Sequence, residues 1–430
     1  MASKSVSSGK PNRFLELEGL RGVAAVVVVV YHNLLAFYAL AFLGTGSGFS
    51  VGQNMRYEDN LYGNPIMVFL SGTFAVAIFF VLSGFVLSIG FFQTGKLEII
   101  KKLAAKRYLR LMIPALVSVL IACLVMSIGL GHTGQAAALT HSGWLASSWN
   151  FVPNVFNAMS DGIANIFVQG TNQYNGALWT MTTEFFGSFI VFAFLALFSG
   201  SPIRRLLSVV LLIITFNTWF MAFIAGMIIA DLYANGYLKQ IRRGKSLAVL
   251  LIAGLFLAGY PYGSVQGSIY RYLTIPGLEM KWNIFYLTIG AVILVGCVLA
   301  ATQLAKVFSH PRISWLGRYT FSLYLVHLTI LYSFTVFVFV VLRSHVGLGF
   351  NTSALLSLAS SIPVIVWATY MFEKYVDAKA INFSSFVARL ILGEQRLSTD
   401  FHLAYQNAYQ KTVQLITMRR GGLVEDELTD

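Results

Sequence analysis

The sequence predicts an all-α integral membrane protein, a bundle of about ten transmembrane helices with both termini in the cytosol. Apolar residues make up 57% of the chain and charged residues 11%, against about 45–50% and about 25% in soluble proteins. Apolar runs of about 20 residues recur, each long enough to cross a bilayer core of about 30 Å. Lysine and arginine gather in alternate loops, which is typical of a multi-pass membrane protein.

The predicted spans follow from these apolar runs, taken in chain order. Ten runs cover residues 22–43, 66–90, 111–130, 177–199, 204–216, 217–234, 246–260, 283–303, 318–342 and 355–373. The fifth and sixth are separated only by the tripeptide 216–218, so the pattern also allows one kinked helix there. The first run is too long for a signal peptide and lacks a small-residue cleavage pattern, so we expect a retained helix.

The positive charges predict the orientation and favour ten spans. Basic residues occur before the first run, at 96–110, at 204–205, at 239–245 and at 306–318, whereas loop 131–176 has none. Counting alternately, all the clusters fall on one side, which the positive-inside rule makes cytosolic. A single helix in place of the fifth and sixth would put the 239–245 cluster on the opposite side. The net charge of +13 thus reflects topology and attraction to anionic lipid, and we expect no nucleic-acid partner.

The predicted domain organisation is one transmembrane domain, 14–375, between two cytosolic tails. Residues 1–13 are rich in serine and lysine and are expected to be disordered. In the tail 376–430, apolar residues between Phe383 and Ile391 recur at helical spacing, which predicts a helix on the membrane surface. The two cysteines, Cys123 and Cys297, fall inside predicted helices, so we expect neither a disulfide framework nor a metal site.

An ionisable ring lies in the middle of the first apolar run. His32 follows a run of valines, and Arg21 precedes the run by one residue. A titratable group inside a membrane span predicts a functional site. Eleven positions of an α-helix return to within about 20° of the same face, about 16 Å along the axis. Arg21 can therefore hold one end of a long ligand while His32 meets its reactive end; the alternative for His32 is a hydrogen bond that packs two helices.

Five segments in order resemble the acyltransferase 3 family of multi-spanning membrane O-acyltransferases. They are Leu17–His32 with its arginine and histidine, Phe79–Ser88, Arg107–Arg110 with a following proline, Leu178–Glu184, and Gly317–His327. The resemblance covers about 14–375. The sequence departs from the family at Glu18, where aspartate is more usual. It also lacks the esterase-like domain that some members carry, so we expect the membrane domain to act alone.

The resemblance implies transfer of an acyl group, in particular a short one such as acetyl, from cytosolic acyl-CoA as co-substrate, with no bound cofactor. The acceptor would be a hydroxyl of a carbohydrate, a lipid or a secondary metabolite. His32 is the candidate general base, since imidazole exchanges protons near neutral pH. Glu184, estimated to lie at a similar depth, is expected to orient His32 or to stabilise its charged form. Arg107 and Arg110 share a helical face at the cytosolic mouth of the third span and can bind the phosphates of CoA, with Arg21.

Other polar and aromatic residues of these segments are secondary candidates. Thr180 lies one turn before Glu184 and can donate to it or to substrate. Trp179 fits an interfacial aromatic belt better than a substrate-stacking role. Tyr324 and His327 share a face of the ninth span and either contribute to the site or tie helices together. Ser83, with the glycine that follows it, is expected to permit close helix packing rather than to act as a nucleophile.

Two other functions remain open from the sequence. A transporter or flippase could use the same buried charges as a proton or anion path, and another membrane acyltransferase family could use its own intramembrane histidine. Release of CoA thiol in proportion to ester formed separates an enzyme from a transporter. The acceptor, the acyl chain length, the oligomeric state and the particular membrane are not determined by the sequence.

Overall fold

A computed structural model describes residues 14–44, 58, 61–238, 244–261, 265, 267–274 and 282–394. The regular elements of this part of the chain are all helical. Seven helical segments are long and apolar enough to cross a membrane: Leu15–Phe37, Gly72–Thr94, Leu97–Ser127, Gly176–Phe198, Asn283–Ala300, Pro311–His345 and Phe350–Ile391. The chain is thus an all-α membrane protein, as predicted. The number of ten spans and the cytosolic position of both termini stay predictions.

The α-helices of the first half of the chain run from the first span to the short helices after the fourth. They are α1 Leu15–Phe37, α2 Ala39–Leu43, α3 Gly72–Thr94, α4 Leu97–Ser127, α5 Thr133–Thr140, α6 Gly143–Ser147, α7 Val155–Ser160, α8 Ile166–Val168, α9 Thr180–Phe198, α10 Arg204–Ile214 and α11 Trp219–Ala234. Two 3₁₀ turns, Pro65–Leu70 and Gly176–Trp179, lead into α3 and α9, and a π-helical turn, Asp161–Asn165, joins α7 to α8.

The second half continues the helical bundle. Its helices are α12 Gly244–Ala258, α13 Asn283–Ala300, α14 Thr302–Phe308, α15 Pro311–Ser314, α16 Thr320–Ile330, α17 Val336–Val340, α18 Phe350–Phe372 and α19 Ala378–Ile391. The 3₁₀ turns are Ile269–Leu273 and Trp315–Tyr319. The π-helical turns Leu331–Thr335, Val341–His345 and Glu373–Asp377 join or extend α16, α17 and α18.

The fifth, sixth and seventh predicted spans are shorter than a membrane crossing requires. Helices α10, α11 and α12 contain 11, 16 and 15 residues, compared with about 20 for a helix perpendicular to the bilayer. The alternative of one kinked helix over 204–234 is wrong, because Asn217 has a left-handed φ of 54° and separates α10 from α11. Its side-chain oxygen accepts a 3.0 Å hydrogen bond from the backbone N–H of Phe285.

Helix α3 occupies the middle of the bundle and contacts α1, α9, α11 and α13. Its closest crossing, with α11, depends on two glycines. A Cβ atom at Gly84 would lie 2.0 Å from the carbonyl oxygen of Phe223, and one at Gly226 would lie 2.0 Å from that of Val81. Such backbone contact between membrane helices requires residues without a side chain. Gly84 therefore has the close-packing role expected for it.

The structure places two predicted boundaries inside helices. The basic residues 101–110, predicted to lie in a loop, belong to α4, which begins at Leu97. At the other end, α18 continues through the turn Glu373–Asp377 into α19, so the predicted domain boundary at 375 falls within one helical segment. Helix α19 is the segment that was predicted to lie on the membrane surface. In the structure it packs along α4. The predicted tail 1–13 and residues 395–430 of the predicted tail 376–430 lie outside the described residues.

Segment 131–176, treated above only as a loop without basic residues, is folded and contains α5 to α8. The indole N–H of Trp149 donates to the carbonyl of Tyr174 at 2.8 Å. The hydroxyl of Tyr174 donates to the carbonyl of Asn154 at 2.9 Å. Burial raises the pKa of the Tyr174 hydroxyl, which keeps this donor protonated. These bonds connect distant parts of the segment to one another, and Trp144 of α6 lies beside His32.

Candidate active site

Two cavities of similar size lie next to each other inside the bundle. The histidine cavity, about 460 Å³, is lined by His32, Trp144, Gln173, Trp179 and Tyr332 among others. The arginine cavity, about 470 Å³, is lined by Arg21, Arg107, Arg110, Glu184 and Arg318 among others. Val76 and Tyr324 line both cavities. The candidate site residues thus divide into two groups that meet at these two side chains.

His32 projects from α1 and is half-buried, since one side of its ring lines the histidine cavity. Its Nδ1 lies 2.9 Å from the carbonyl oxygen of Val28 and 3.1 Å from Nε2 of His327. The indole of Trp144 stacks on the imidazole, with ring centroids 5.9 Å apart and planes at 25°. The intramembrane histidine therefore lies in the wall of a polar cavity, in contact with a second imidazole and an aromatic ring.

His327 and Tyr324 lie on the same helix, α16. This agrees with the prediction that the two side chains share a helical face. The His327 side chain is completely buried, and its Nδ1 lies 3.1 Å from the carbonyl oxygen of Leu323. The Tyr324 hydroxyl donates to the carbonyl of Ala177 at 2.5 Å and lies 2.8 Å from the hydroxyl of Thr180. Thr180 and Tyr324 thus join α9 to α16 at the boundary between the cavities.

Glu184 lies in the arginine cavity and not beside His32. Its carboxylate pairs with the guanidinium of Arg107 and accepts a 2.8 Å hydrogen bond from the hydroxyl of Ser83. The expectation that Glu184 orients His32 is therefore not met in this structure. It rested on depth along two separate helices, which fixes a height in the bilayer but not the direction in which each side chain points. Ser83, in turn, has a polar contact that helix packing alone does not require.

Carboxylates accompany two further arginines of this cavity. Arg110 donates to Asp377 at 2.5 Å, and Arg318 donates to Glu373 at 2.8 Å. Both carboxylates belong to the turn between α18 and α19, so these ion pairs attach the last long helical segment to the cavity. The Nε–H of Arg107 is buried without a hydrogen-bond partner among the described residues. A buried donor of this kind is costly unless a ligand or water completes it.

Three residues of the site were not found from the sequence. Trp144 stacks on His32, and Asn175 donates to the carbonyl of Leu325 at 2.8 Å, joining the start of the fourth span to α16. Asp377 pairs with Arg110 from 267 positions away in the chain. Trp179 lines the histidine cavity, and its ring centroid lies 5.7 Å from that of Trp219. This position suits a substrate-stacking role, the less favoured of the two roles that the sequence predicts for it.

The apolar helices define a multi-pass integral membrane protein, and the comparisons define its family. The chain belongs to the acyltransferase 3 family: the family's sequence profile, described as an acyltransferase domain, matches residues 14–372. The chain is also similar to the O-acetyltransferase PaAT-1 of Phomopsis amygdali, with 25% identity over 248 residues, which is 50% of this chain and 48% of that protein. The chain thus spans about half the length of the curated relative it matches. No solved structure matches the chain.

Proposed function

We propose that the protein transfers an acyl group from cytosolic acyl-CoA to a hydroxyl group, with His32 as the general base. The adjacent cavities carry this proposal, because they meet at Val76 and Tyr324 with arginines on one side and the imidazole on the other. A long donor with phosphates at one end and a thioester at the other needs this distribution of groups. The name of the similar O-acetyltransferase favours a short acyl group such as acetyl.

The arginine cavity is the proposed site for the phosphates of the donor. Arg21, Arg107 and Arg110 line it, and guanidinium groups bind phosphate through paired hydrogen bonds. The buried Nε–H of Arg107, unpaired among the described residues, is one donor for such a ligand. Because Glu184 and Asp377 already pair with Arg107 and Arg110, phosphate binding would share or replace these carboxylate contacts.

The histidine cavity is the proposed site for the acceptor. Aromatic rings and neutral amide or hydroxyl groups line it, including Trp144, Gln173 and Ser148. His32 would take the proton of the acceptor hydroxyl as its oxygen attacks the thioester carbonyl. The tetrahedral intermediate would then expel the CoA thiolate, which takes the proton from His32, giving ester and CoA thiol. A neutral acceptor suits a lining that, among the described residues, contains no carboxylate, lysine or arginine side chain.

Thiol release in a purified system tests the proposal. We expect wild-type protein in nanodiscs to bind acetyl-CoA or a longer acyl-CoA and to release thiol when membrane extract supplies acceptors. His32→Ala should bind the donor and release at least 100-fold less thiol, since general bases contribute about 10²–10⁴ in rate. His132→Ala, at a histidine that does not line either cavity, is the matched control. Equal release by His32→Ala, or no binding of any acyl-CoA, would contradict the proposal and favour the transporter.

A further inference from the structure

The two imidazoles in contact at the site come from widely separated parts of the chain. His32 on α1 and His327 on α16 are 295 positions apart, and Nε2 of His327 lies 3.1 Å from Nδ1 of His32. Their ring centroids are 5.1 Å apart. His327 is completely buried and is not among the residues that line the histidine cavity. It therefore does not touch a ligand in that cavity, and its direct polar contact with a side chain of the lining is the one with His32.

Their hydrogen-bond partners determine where the ring protons lie. A carbonyl oxygen only accepts, so the 3.1 Å contact of His327 Nδ1 with the carbonyl of Leu323 requires a proton on that Nδ1. A neutral imidazole has one N–H, which makes His327 Nε2 an acceptor. The partner that faces it, His32 Nδ1, must then be the donor, and the same N–H also points to the carbonyl of Val28 at 2.9 Å.

The opposite assignment is unfavourable at both rings. If His327 Nε2 donated to His32 Nδ1, both Nδ1 atoms would be unprotonated while each faces a backbone carbonyl oxygen, at 2.9 and 3.1 Å. Two contacts between lone pairs in a buried site would replace two hydrogen bonds. The Val28 carbonyl is in addition an acceptor within its own helix, which leaves His327 Nε2 as the acceptor dedicated to the His32 ring.

We propose that His327 is a positioning residue that holds His32 in the tautomer with its proton on Nδ1 and its free lone pair on Nε2. This inference rests on the proposed function, in which that lone pair takes the proton of the acceptor hydroxyl. When His32 becomes an imidazolium, its Nδ1–H donates a charge-assisted hydrogen bond to His327 Nε2. His327 thus has the part that a carboxylate has in a Ser-His-Asp triad, without a buried negative charge, which is costly in the membrane interior.

Paired substitutions at His327 separate positioning from structural support. The carbonyl oxygen of glutamine can occupy nearly the same place as imidazole Nε2, so His327→Gln should keep an acceptor for His32, whereas His327→Leu removes it. We expect kcat for thiol release to fall about 100-fold in His327→Leu and less than tenfold in His327→Gln, with KM for acyl-CoA within about threefold of wild type in both. Equal losses in the two variants, or a change confined to KM, would overturn the inference.

A spectrum of the wild-type protein tests the tautomer without any variant at His327. The measurement is a ¹⁵N NMR spectrum of protein with labelled histidine rings, in nanodiscs at neutral pH. The signals of His32 are assigned as those that disappear in the variant His32→Gln. We expect a protonated Nδ1 and an unprotonated Nε2; a protonated Nε2 in the neutral ring would overturn the inference.

If no acyl-CoA supports thiol release while this tautomer is found, the proposed function fails and the imidazole pair stands. If release depends on His32 but not on an acceptor at 327, the positioning role fails and the function stands.

Discussion

At the scale of single residues, the candidate site combines charges that balance one another with neutral aromatic surfaces. In the arginine cavity, Arg107 and Glu184 are each about 15% exposed and paired. In the histidine cavity, Trp144 stacks on the imidazole of His32. Removing one member of a buried ion pair leaves an uncompensated charge, so the informative substitutions at such a pair keep the charge and alter the geometry.

Arg107→Lys keeps the positive charge and removes the guanidinium, including its buried Nε–H. If this group binds a phosphate, we expect KM for acyl-CoA to rise about tenfold, equivalent to about 1.4 kcal/mol, with a smaller change in kcat. Arg205→Lys is the matched control, because Arg205 pairs with Asp231 and lines neither cavity. Initial-rate kinetics at varied donor concentration measure both. An unchanged KM in Arg107→Lys would remove Arg107 from the donor site.

Trp144→Ala removes the ring that stacks on His32. Aromatic pairs contribute about 0.5–1.5 kcal/mol beyond the area they bury, so we expect about a three- to tenfold loss of kcat/KM for the acceptor while donor binding is unchanged. Trp315→Ala is the control, because this tryptophan is 56% exposed and lines neither cavity. A loss of donor affinity equal to the loss of turnover would indicate that Trp144 supports the fold rather than the acceptor site.

At the scale of helices, backbone contact and ion pairs set the positions from which these side chains project. The α3–α11 crossing requires glycine at 84 and 226, and the turn after α18 is attached to the arginine cavity by Asp377 and Glu373. Hydrophobic burial cannot drive helix association inside lipid, so close packing and interhelical polar contacts must do so. Ser83, next to the glycine of the crossing, is positioned by this packing to donate to Glu184.

Gly226→Ala should disrupt the α3–α11 crossing. The added Cβ would lie 2.0 Å from the carbonyl oxygen of Val81, and relief of such overpacking typically costs about 1–3 kcal/mol. We expect a lower midpoint of thermal unfolding in detergent and a lower yield of folded protein. Gly296→Ala on α13 is the control, because nothing lies within 4 Å of the position its Cβ would take. Equal stability of the two variants would mean that α3 and α11 can separate without loss.

At the scale of the whole molecule, the bundle forms two adjacent cavities. Segment 131–176 borders the histidine cavity, and the turn at 373–377 borders the arginine cavity. Residues 144, 147, 148, 172 and 173 line the histidine cavity, whereas Glu373 and Asp377 line the arginine cavity. The basic clusters predict that the arginine side is cytosolic. A donor made in the cytosol would then reach the site from one face of the membrane, and acceptors would have access from the other.

Cysteine labelling in sealed cells tests this orientation. Both native cysteines, Cys123 and Cys297, are buried, so they provide a low background. We expect Gln135→Cys, at an exposed position of α5, to react with a membrane-impermeant maleimide from outside. Gln93→Cys, exposed at the end of α3, should react only after permeabilisation. The reverse pattern would place the arginine cavity outside the cytosol, and labelling of both from outside would contradict the predicted topology.

The sequence by itself determined the class of fold, the position of the long helices and the family. Apolar length and charge bias depend only on order along the chain, as does the spacing of motifs such as Arg21 and His32 on one helix. It also indicated Glu184, Tyr324 and His327 as polar groups inside apolar segments, and Arg107 as a basic group at the mouth of the third one. Their membership of the donor and acceptor sites stays a prediction.

Only the tertiary structure decided which of these groups meet. Helical periodicity gives the height and face of a side chain on its own helix, whereas the partner depends on the rotation and separation of two helices. Those are set by packing, as at the glycine crossing of α3 and α11. For this reason Glu184 pairs with Arg107 and not His32, and His32 contacts His327. Trp144 reaches His32 because the segment between the third and fourth long helices packs on the bundle, which no periodic pattern of the sequence encodes.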